Sequence, residues 1–242
     1  MTDFKELEIK LKIDKKYVKK ILSLPLVTSA LVADSFEAKV LDNRYYDSDD
    51  FRLCAAGIAY RVRKIDDSYI ATLKTAERSE GGFSERNEYN VEIIDDKPSA
   101  AVFGDIGMED TLNKVLGGAK LSLLFKSLVK REIRLLQVTD DTLLEMAIDK
   151  GKIVVGKRQD KIDEIEFEIV KGKKEDLFAF IAALAEEVPL FIEPKSKFER
   201  GINLLNKTGG FDSIEDRGLK LVKDGNVEDE FKKLIRYNAG VI

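Results

Sequence analysis

Histidine is absent from this sequence, and cysteine occurs once, as Cys54. Without histidine there is no His-ligated zinc, no Ser-His-Asp triad and no imidazole base. A single thiol forms neither a thiolate cluster nor an intramolecular disulfide. Any active site must therefore work with carboxylates, lysine and arginine. Long apolar runs are missing too. The longest uncharged stretches, such as residues 21–33 and 177–185, fall short of the roughly 20 residues that cross a bilayer. No basic, apolar, small-residue leader opens the chain, so a cytoplasmic protein without a membrane partner is expected.

Charge is what the sequence has in excess. Charged residues make up 36% of the 242 positions, against roughly 25% in an average domain. Lysine and arginine number 41 and aspartate and glutamate 45, for a net charge of −4. That density at near balance implies opposed charges brought together locally, and the negative sign argues against a generic nucleic-acid binder, whose footprint is basic. The length corresponds to one large domain or one plus an appendage, at roughly 100–200 residues per domain.

Period two dominates the pattern. Leu7, Ile9, Leu11 and Ile13 alternate with Glu6, Glu8, Lys10 and Lys12, which predicts a strand. Asp14 should cap a helix running to about Ser23. Extended segments are expected at 36–46, 57–64 and 69–75, with Asp66-Asp67 as a turn, and at 83–94 after a Gly81-Gly82 hairpin turn. Lys97-Pro98 opens an irregular or helical link that ends at Gly117-Gly118, and three strands follow at 121–138, 142–155 and 161–170. Beyond Gly172 the spacing of Leu177, Phe180, Ile181 and Leu184 is helical, Pro189 closes that helix, and another covers 196–205. Eight strands in hairpin order with helices at the ends predict an α+β fold: a closed eight-stranded antiparallel β-barrel with peripheral helices. Residues 1–207 form that domain. Residues 208–242 read as a linker followed by an amphipathic helix at 227–237, whose Val227, Phe231 and Leu234 would pack against the barrel or a partner subunit, leaving a homodimer open.

Charged residues normally take the solvent face of a strand. Here the pattern recurs on too many strands for that reading. Glu164, Glu166 and Glu168 alternate with Ile165, Phe167 and Ile169, and Arg61 with Arg63, Thr72 with Lys74, Arg86 with Glu88, and Glu145 with Asp149 each share a face. Three glutamates on one face repel one another, whereas a hard cation such as Mg2+ or Mn2+ uses their oxygens. With these faces turned inward, acidic strands would oppose arginines and lysines, an arrangement suited to a polyanion bridged to a metal. Two motifs are discounted. Residues 151–157 spell GxxxxGK, but Arg158 stands where a P-loop needs Ser or Thr, and a strand follows where a helix is required. Cys54, between Leu53 and Ala55, reads as an inert thiol.

Glu6-Leu7-Glu8-Ile9-Lys10 resembles the ExExK signature of the CYTH superfamily, also called triphosphate tunnel metalloenzymes. In order along the chain, Arg44-Tyr45-Tyr46-Asp47-Ser48 resembles the family's segment with two aromatics and an Asp. Arg61-Val62-Arg63 resembles its Arg-x-Arg strand, Ala71-Thr72-Leu73-Lys74 its Lys strand and Arg86-Asn87-Glu88 its Arg-x-Glu strand. Glu145 through Asp149, followed by Gly151, resembles its later acidic strand, and Ser196-Lys197-Phe198-Glu199-Arg200-Gly201 is similar to the closing helix of the inorganic-triphosphatase branch. The tail resembles the lead-in to a CHAD domain.

The resemblance implies a tunnel that binds triphosphate with one or two divalent metals and hydrolyses inorganic triphosphate to diphosphate and phosphate. A class IV adenylate cyclase, another organic triphosphatase acting on thiamine or nucleoside triphosphates, and a non-catalytic polyphosphate-binding module are the alternatives. It implies metal ligation by Glu6, Glu8, Glu164 and Glu166, with Glu168 as a third ligand or a rim carboxylate. Phosphate contacts would come from Lys10, Arg61, Arg63, Lys74, Arg86 and either Arg131 or Arg134, and Lys10 would also stabilise charge on the leaving oxygen. Lys197 and Arg200 would close the tunnel mouth, and Glu88 or Asp149 would orient a metal-activated water. Mutual repulsion among Glu6, Glu8, Glu164 and Glu166 is expected to be a standing cost to the metal-free fold, relieved by Glu166→Gln.

Overall fold

Each strand has two faces, and the apolar one must be covered; which face is covered decides this fold. The computed structural model describes residues 5–80 and 83–205, and the side chains of these except for residues 5, 76–80 and 83–85. Nine strands occur among the described residues: β1 (Lys5–Lys12), β2 (Glu37–Asp47), β3 (Ile58–Ile65), β4 (Ser68–Glu80), β5 (Phe83–Ile93), β6 (Ser122–Gln137), β7 (Leu143–Val155), β8 (Arg158–Lys171) and β9 (Phe191–Ile192). The sheet order is β5-β4-β3-β2-β6-β7-β8-β1, and β1 pairs again with β5, closing an antiparallel barrel of eight. Closure removes exposed edges, and β9 continues the edge of β1 beyond β5.

The main apolar cores lie outside the barrel. On one flank Ile9, Leu11, Leu144, Met146, Ile148, Ile165 and Phe167 pack beneath α1 (Lys15–Ser23), α2 (Pro25–Thr28) and the later helix Lys174–Glu187. On the other, Ile58, Tyr60 and Val62 of β3 and Ala71 and Leu73 of β4 pack beneath α3 (Arg52–Ala55), the 3-10 helix Ala100–Ile106 and α4 (Glu109–Leu116). The long helix Lys174–Glu187 is α5. Each large apolar side chain so buried contributes about 1.5–3 kcal/mol, so the barrel is clamped from outside and its inner faces are left to polar groups. That is why the charged faces of the strands are the inner ones.

A third cluster is internal and closes one end. Tyr45 and Phe125 stack with ring centroids 4.6 Å apart, and Phe198 of α6 (Lys197–Leu205) lies 5.9 and 6.0 Å from them. Gly201 lets α6 approach, since a Cβ there would fall 2.1 Å from the Phe125 ring.

Local chemistry explains the smaller elements. Asp14 caps α1, its carboxylate accepting from the Lys16 N–H at 3.1 Å. The GxxxxGK run ends in a two-residue turn between β7 and β8 with Gly156 at φ +57°, a hairpin connection and not a phosphate loop. The pattern did not predict α2, α3 or β9. Buried Asp47 organises α3 by accepting from the backbone N–H groups of Ser48, Leu53 and Cys54 at 2.7–2.8 Å. The Gly81-Gly82 turn and the helix expected at 227–237 lie outside the described residues. Among the described residues no helix is long and apolar enough to cross a membrane.

Candidate active site

Strand register assembles the inner surface. Glu6, Glu8 and Lys10 of β1 stand beside Arg86, Glu168 and Glu166 respectively. Around the barrel Lys74 pairs with Glu88, Arg61 with Thr72, and Asn43 and Tyr45 with Arg63 and Arg61. Arg131 pairs with Asp149, which neighbours Glu164, and Glu145 neighbours Glu168. All of these side chains except Thr72 and Glu164 line a cavity of about 590 Å³, and the charges in and around it fall into three zones.

The first zone is cationic. Arg63 donates from Nε to the Asn43 side-chain oxygen at 2.7 Å and has no carboxylate within ion-pair distance among the described residues. Burial, then the neighbouring Arg61 and Arg131, lowers its guanidinium to about 9. Arg61 donates to Thr72 Oγ1 at 3.1 Å and lies 3.5 Å from Glu88, while its Nε has no hydrogen-bond partner among the described residues. Lys74 bridges Glu6, at 2.7 Å, and Glu88. Glu88 is held well below the usual carboxylate range: burial opposes this, but Lys74 and Arg61 prevail.

The second zone lies under α6. Carboxylate oxygens of Asp149, Glu164 and Glu166 come within 4.8 Å of one another, and the Lys197 ammonium sits among them at 2.8, 2.9 and 2.6 Å. Arg131 forks onto Asp149 at 2.7 and 2.6 Å and also reaches Glu166. Burial alone would raise the pKa of Glu166, yet Lys197, Arg131 and Lys10 hold it well below its ordinary value. Asp149 is lowered in the same way, by Lys197 and Arg131 against burial.

The third zone is acidic and short of positive charge. Glu168 and Glu145 have no ion pair among the described residues. Burial, then Glu6, Glu145 and Glu8, pushes Glu168 up to about 8. Burial also raises Glu6 to about 7 against the pull of Lys74, and Glu145 is raised chiefly by burial. Glu8 is lowered: burial opposes this, but Lys10 leads the cations that outweigh it. Lys10 links the zones, 3.8 Å from Glu8 and 3.9 Å from Glu166.

Three expectations need correction. Arg134 does not face the cavity. Three residues after the inward Arg131, alternation turns it outward, where it pairs with Glu132 at 3.2 Å and lies over the Phe36 ring. Arg200 is spent as a brace: it donates to Asp160 at 2.8 Å, to the Lys161 carbonyl at 2.6 Å and to Glu164. Neither Arg200 nor Glu164 lines the cavity. The expected repulsion among Glu6, Glu8, Glu164 and Glu166 is also misplaced. Glu164 and Glu166 are met by Lys197 and arginines, Glu6 by Lys74 and Glu8 by Lys10, and the carboxylates without an ion pair among the described residues are Glu145 and Glu168.

Some participants were not predicted. Asn43 and Ser127 lie inside the barrel at 2% and 0% exposure. Their signal was a polar residue in phase with the inner positions, Asn43 with Tyr45 and Ser127 with Arg131. Cys54 is half-buried, and burial raises its thiol, which suits the inert role.

A closed antiparallel barrel with its main cores outside and opposed charges within defines a tunnel fold with a charged lumen. The CYTH domain profile matches residues 5–202, and the chain belongs to the CYTH family. It is 30% identical over 204 residues to the inorganic triphosphatase of Haemophilus influenzae, an alignment covering 84% of this chain and 55% of that protein. The chain thus spans about half the length of that curated relative. A Hippeastrum protein, described as a candidate adenylyl cyclase that reveals a dominant triphosphatase activity, shares the fold with TM-score 0.57 and 18% identity, over 80% of this chain and 93% of the other. The PH1012 protein of Pyrococcus horikoshii aligns with TM-score 0.48 and 19% identity over 83% and 99% of the two chains.

Proposed function

We propose that this protein is a divalent-metal-dependent triphosphatase that hydrolyses inorganic triphosphate to diphosphate and phosphate inside the tunnel. The observation that carries the reading is the polarity of the lumen: among the described residues Arg63 has no carboxylate at ion-pair distance, while Glu168 and Glu145 have no cation at that distance. An anion and a cation entering together satisfy both. The name of the Haemophilus influenzae relative supports inorganic triphosphate as the substrate.

The donor set fits a hard cation. Two groups of carboxylates offer only hard oxygen donors: Asp149, Glu164 and Glu166, whose oxygens converge within 4.8 Å beside the Lys197 ammonium, and Glu6, Glu8, Glu145 and Glu168, where the raised Glu6 and Glu168 favour added positive charge. These residues would hold Mg2+ or Mn2+, which would neutralise phosphate charge and acidify a water. Arg61, Arg63, Lys74, Arg86 and Arg131 would bind phosphate oxygens and stabilise charge gathering on the leaving oxygen. Lys10, between Glu8 and Glu166, stands where it can serve both the anion and the acidic zone. Asp149 serves as counter-ion to Arg131 and Lys197 and Glu88 to Lys74 and Arg61, and either carboxylate would orient the water. Lys197 and Phe198 shut the α6 end against solvent.

The test is phosphate release from inorganic triphosphate, ATP and thiamine triphosphate, with Mg2+, with Mn2+ and with chelator. Metal-dependent release from inorganic triphosphate in preference to the two organic substrates is expected. Turnover undiminished by chelator, or pyrophosphate release from ATP without phosphate, would overturn the assignment.

A further inference from the structure

Arg63 is unlike the other tunnel arginines in what holds it. Arg131 is forked onto Asp149 and Arg86 lies 3.6 Å from Glu8, so a carboxylate compensates each. The only side-chain oxygen on Arg63 among the described residues is the neutral amide of Asn43, at 2.7 Å. Asn43 is itself fixed, donating from Nδ2 to Ser127 Oγ at 3.1 Å. The three stand abreast across β3, β2 and β6, since Asn43 is the register partner of both Arg63 and Ser127. Asn43 and Ser127 are 2% and 0% exposed.

We infer that Asn43, braced by Ser127, is a charge-neutral positioning residue that aims Arg63 at the anion while leaving its charge uncompensated. A guanidinium has five N–H donors. Asn43 takes the one on Nε and so fixes the plane of the fork, and the four terminal donors stay available for two oxygens of one phosphoryl group. A carboxylate at this place would orient the fork equally well but would neutralise it and repel the incoming anion. The amide side chain separates orientation from neutralisation. The neighbouring arginines add to the effect, because like charge and burial both favour a bound anion at Arg63. The inference rests on the reading of the tunnel as a polyphosphate site.

The experiment is calorimetric titration of the full chain with inorganic triphosphate, on the parent, Asn43→Ala, Asn43→Asp, Ser127→Ala, Arg63→Ala and Arg63→Ala combined with each of the two alanine variants, with melting curves for all. Asn43→Ala should weaken binding about 5- to 20-fold, less than the roughly 10- to 100-fold of one charge-assisted hydrogen bond because Arg63 keeps its charge. In the Arg63→Ala background the same change should alter binding by less than about twofold, because a residue acting through Arg63 has nothing left to aim. Asn43→Asp should weaken binding more than Asn43→Ala despite being nearly isosteric, an order opposite to that of a merely structural residue. If Asn43→Ala does not fold, Ser127→Ala decides by the same dependence on Arg63. Equal losses in both backgrounds, or an Asn43→Asp protein that binds as the parent does, would overturn the inference alone. Binding unaffected by Arg63→Ala would overturn it together with the tunnel reading.

Discussion

Glu166 and Glu168 stand two residues apart on the same face of β8, and their surroundings oppose each other. Lys197, Arg131 and Lys10 hold Glu166 ionised, whereas Glu168 meets burial and other carboxylates. Neutralising them should therefore have opposite effects on the metal-free protein. Glu166→Gln strips a buried counter-charge from Lys197 and should cost about 3 kcal/mol, while Glu168→Gln removes a repelling charge and should raise the melting temperature. Thermal melts in chelator check this, and a shift in the same direction for both would refute the division into zones. The cationic side has its own contrast. Arg63→Ala and Lys74→Ala should each weaken triphosphate binding about 10- to 100-fold, while Lys12→Ala, exposed at the end of β1, should change it less than about twofold. Equal losses from all three would point to bulk charge instead of position.

At the scale of elements, α6 carries both a plug and a clamp. Its first turn brings Lys197 into the acidic triad, and its next turn seats Gly201 against Phe125. A side chain at Gly201 has no room, so Gly201→Ala should destabilise the protein by about 1–3 kcal/mol, the cost of overpacking. Because the same helix positions Lys197, that variant should also lose activity, and added Mg2+ should not restore its melting temperature to that of the parent. A melting temperature equal to the parent's would mean that α6 is not seated in the barrel end.

For the whole molecule the acidic zone predicts a pH dependence. Glu168 and Glu6 have folded values of about 8 and about 7 against an ordinary 4.5, so between those limits the folded state binds more protons than the unfolded one. Stability must then fall as pH rises through that window. Asp149, Glu88 and Glu166 are shifted the other way, and their contribution is lost only on acidification below the window. In chelator the melting temperature should drop from pH 5 to pH 8, and saturating Mg2+ or Mn2+ should flatten the drop by binding the ionised folded form. A melting temperature that rises over this range without metal would refute the upward shifts of Glu168 and Glu6.

Much of this was legible in the sequence because a strand's faces are a local property. Alternation alone put Glu6, Glu8 and Lys10 on one side of β1 and Glu164, Glu166 and Glu168 on one side of β8, and eight such strands in hairpin order implied closure. The same rule, with its phase fixed by Arg131 and Asp149, would have turned Arg134 outward. Coulomb interactions depend on distance in space, and that was set only when the barrel closed. Closure brought Lys197 from the last described helix onto Asp149, Glu164 and Glu166, set Glu168 beside Glu145 and Glu8, and ranged Ser127, Asn43 and Arg63 across three strands. Sequence determined which face of each strand is the charged one. Tertiary structure decided which of those charges are already answered and which still wait for a ligand, because compensation requires a partner within a few ångströms and those partners come from distant parts of the chain, as Lys10 and Glu166 do.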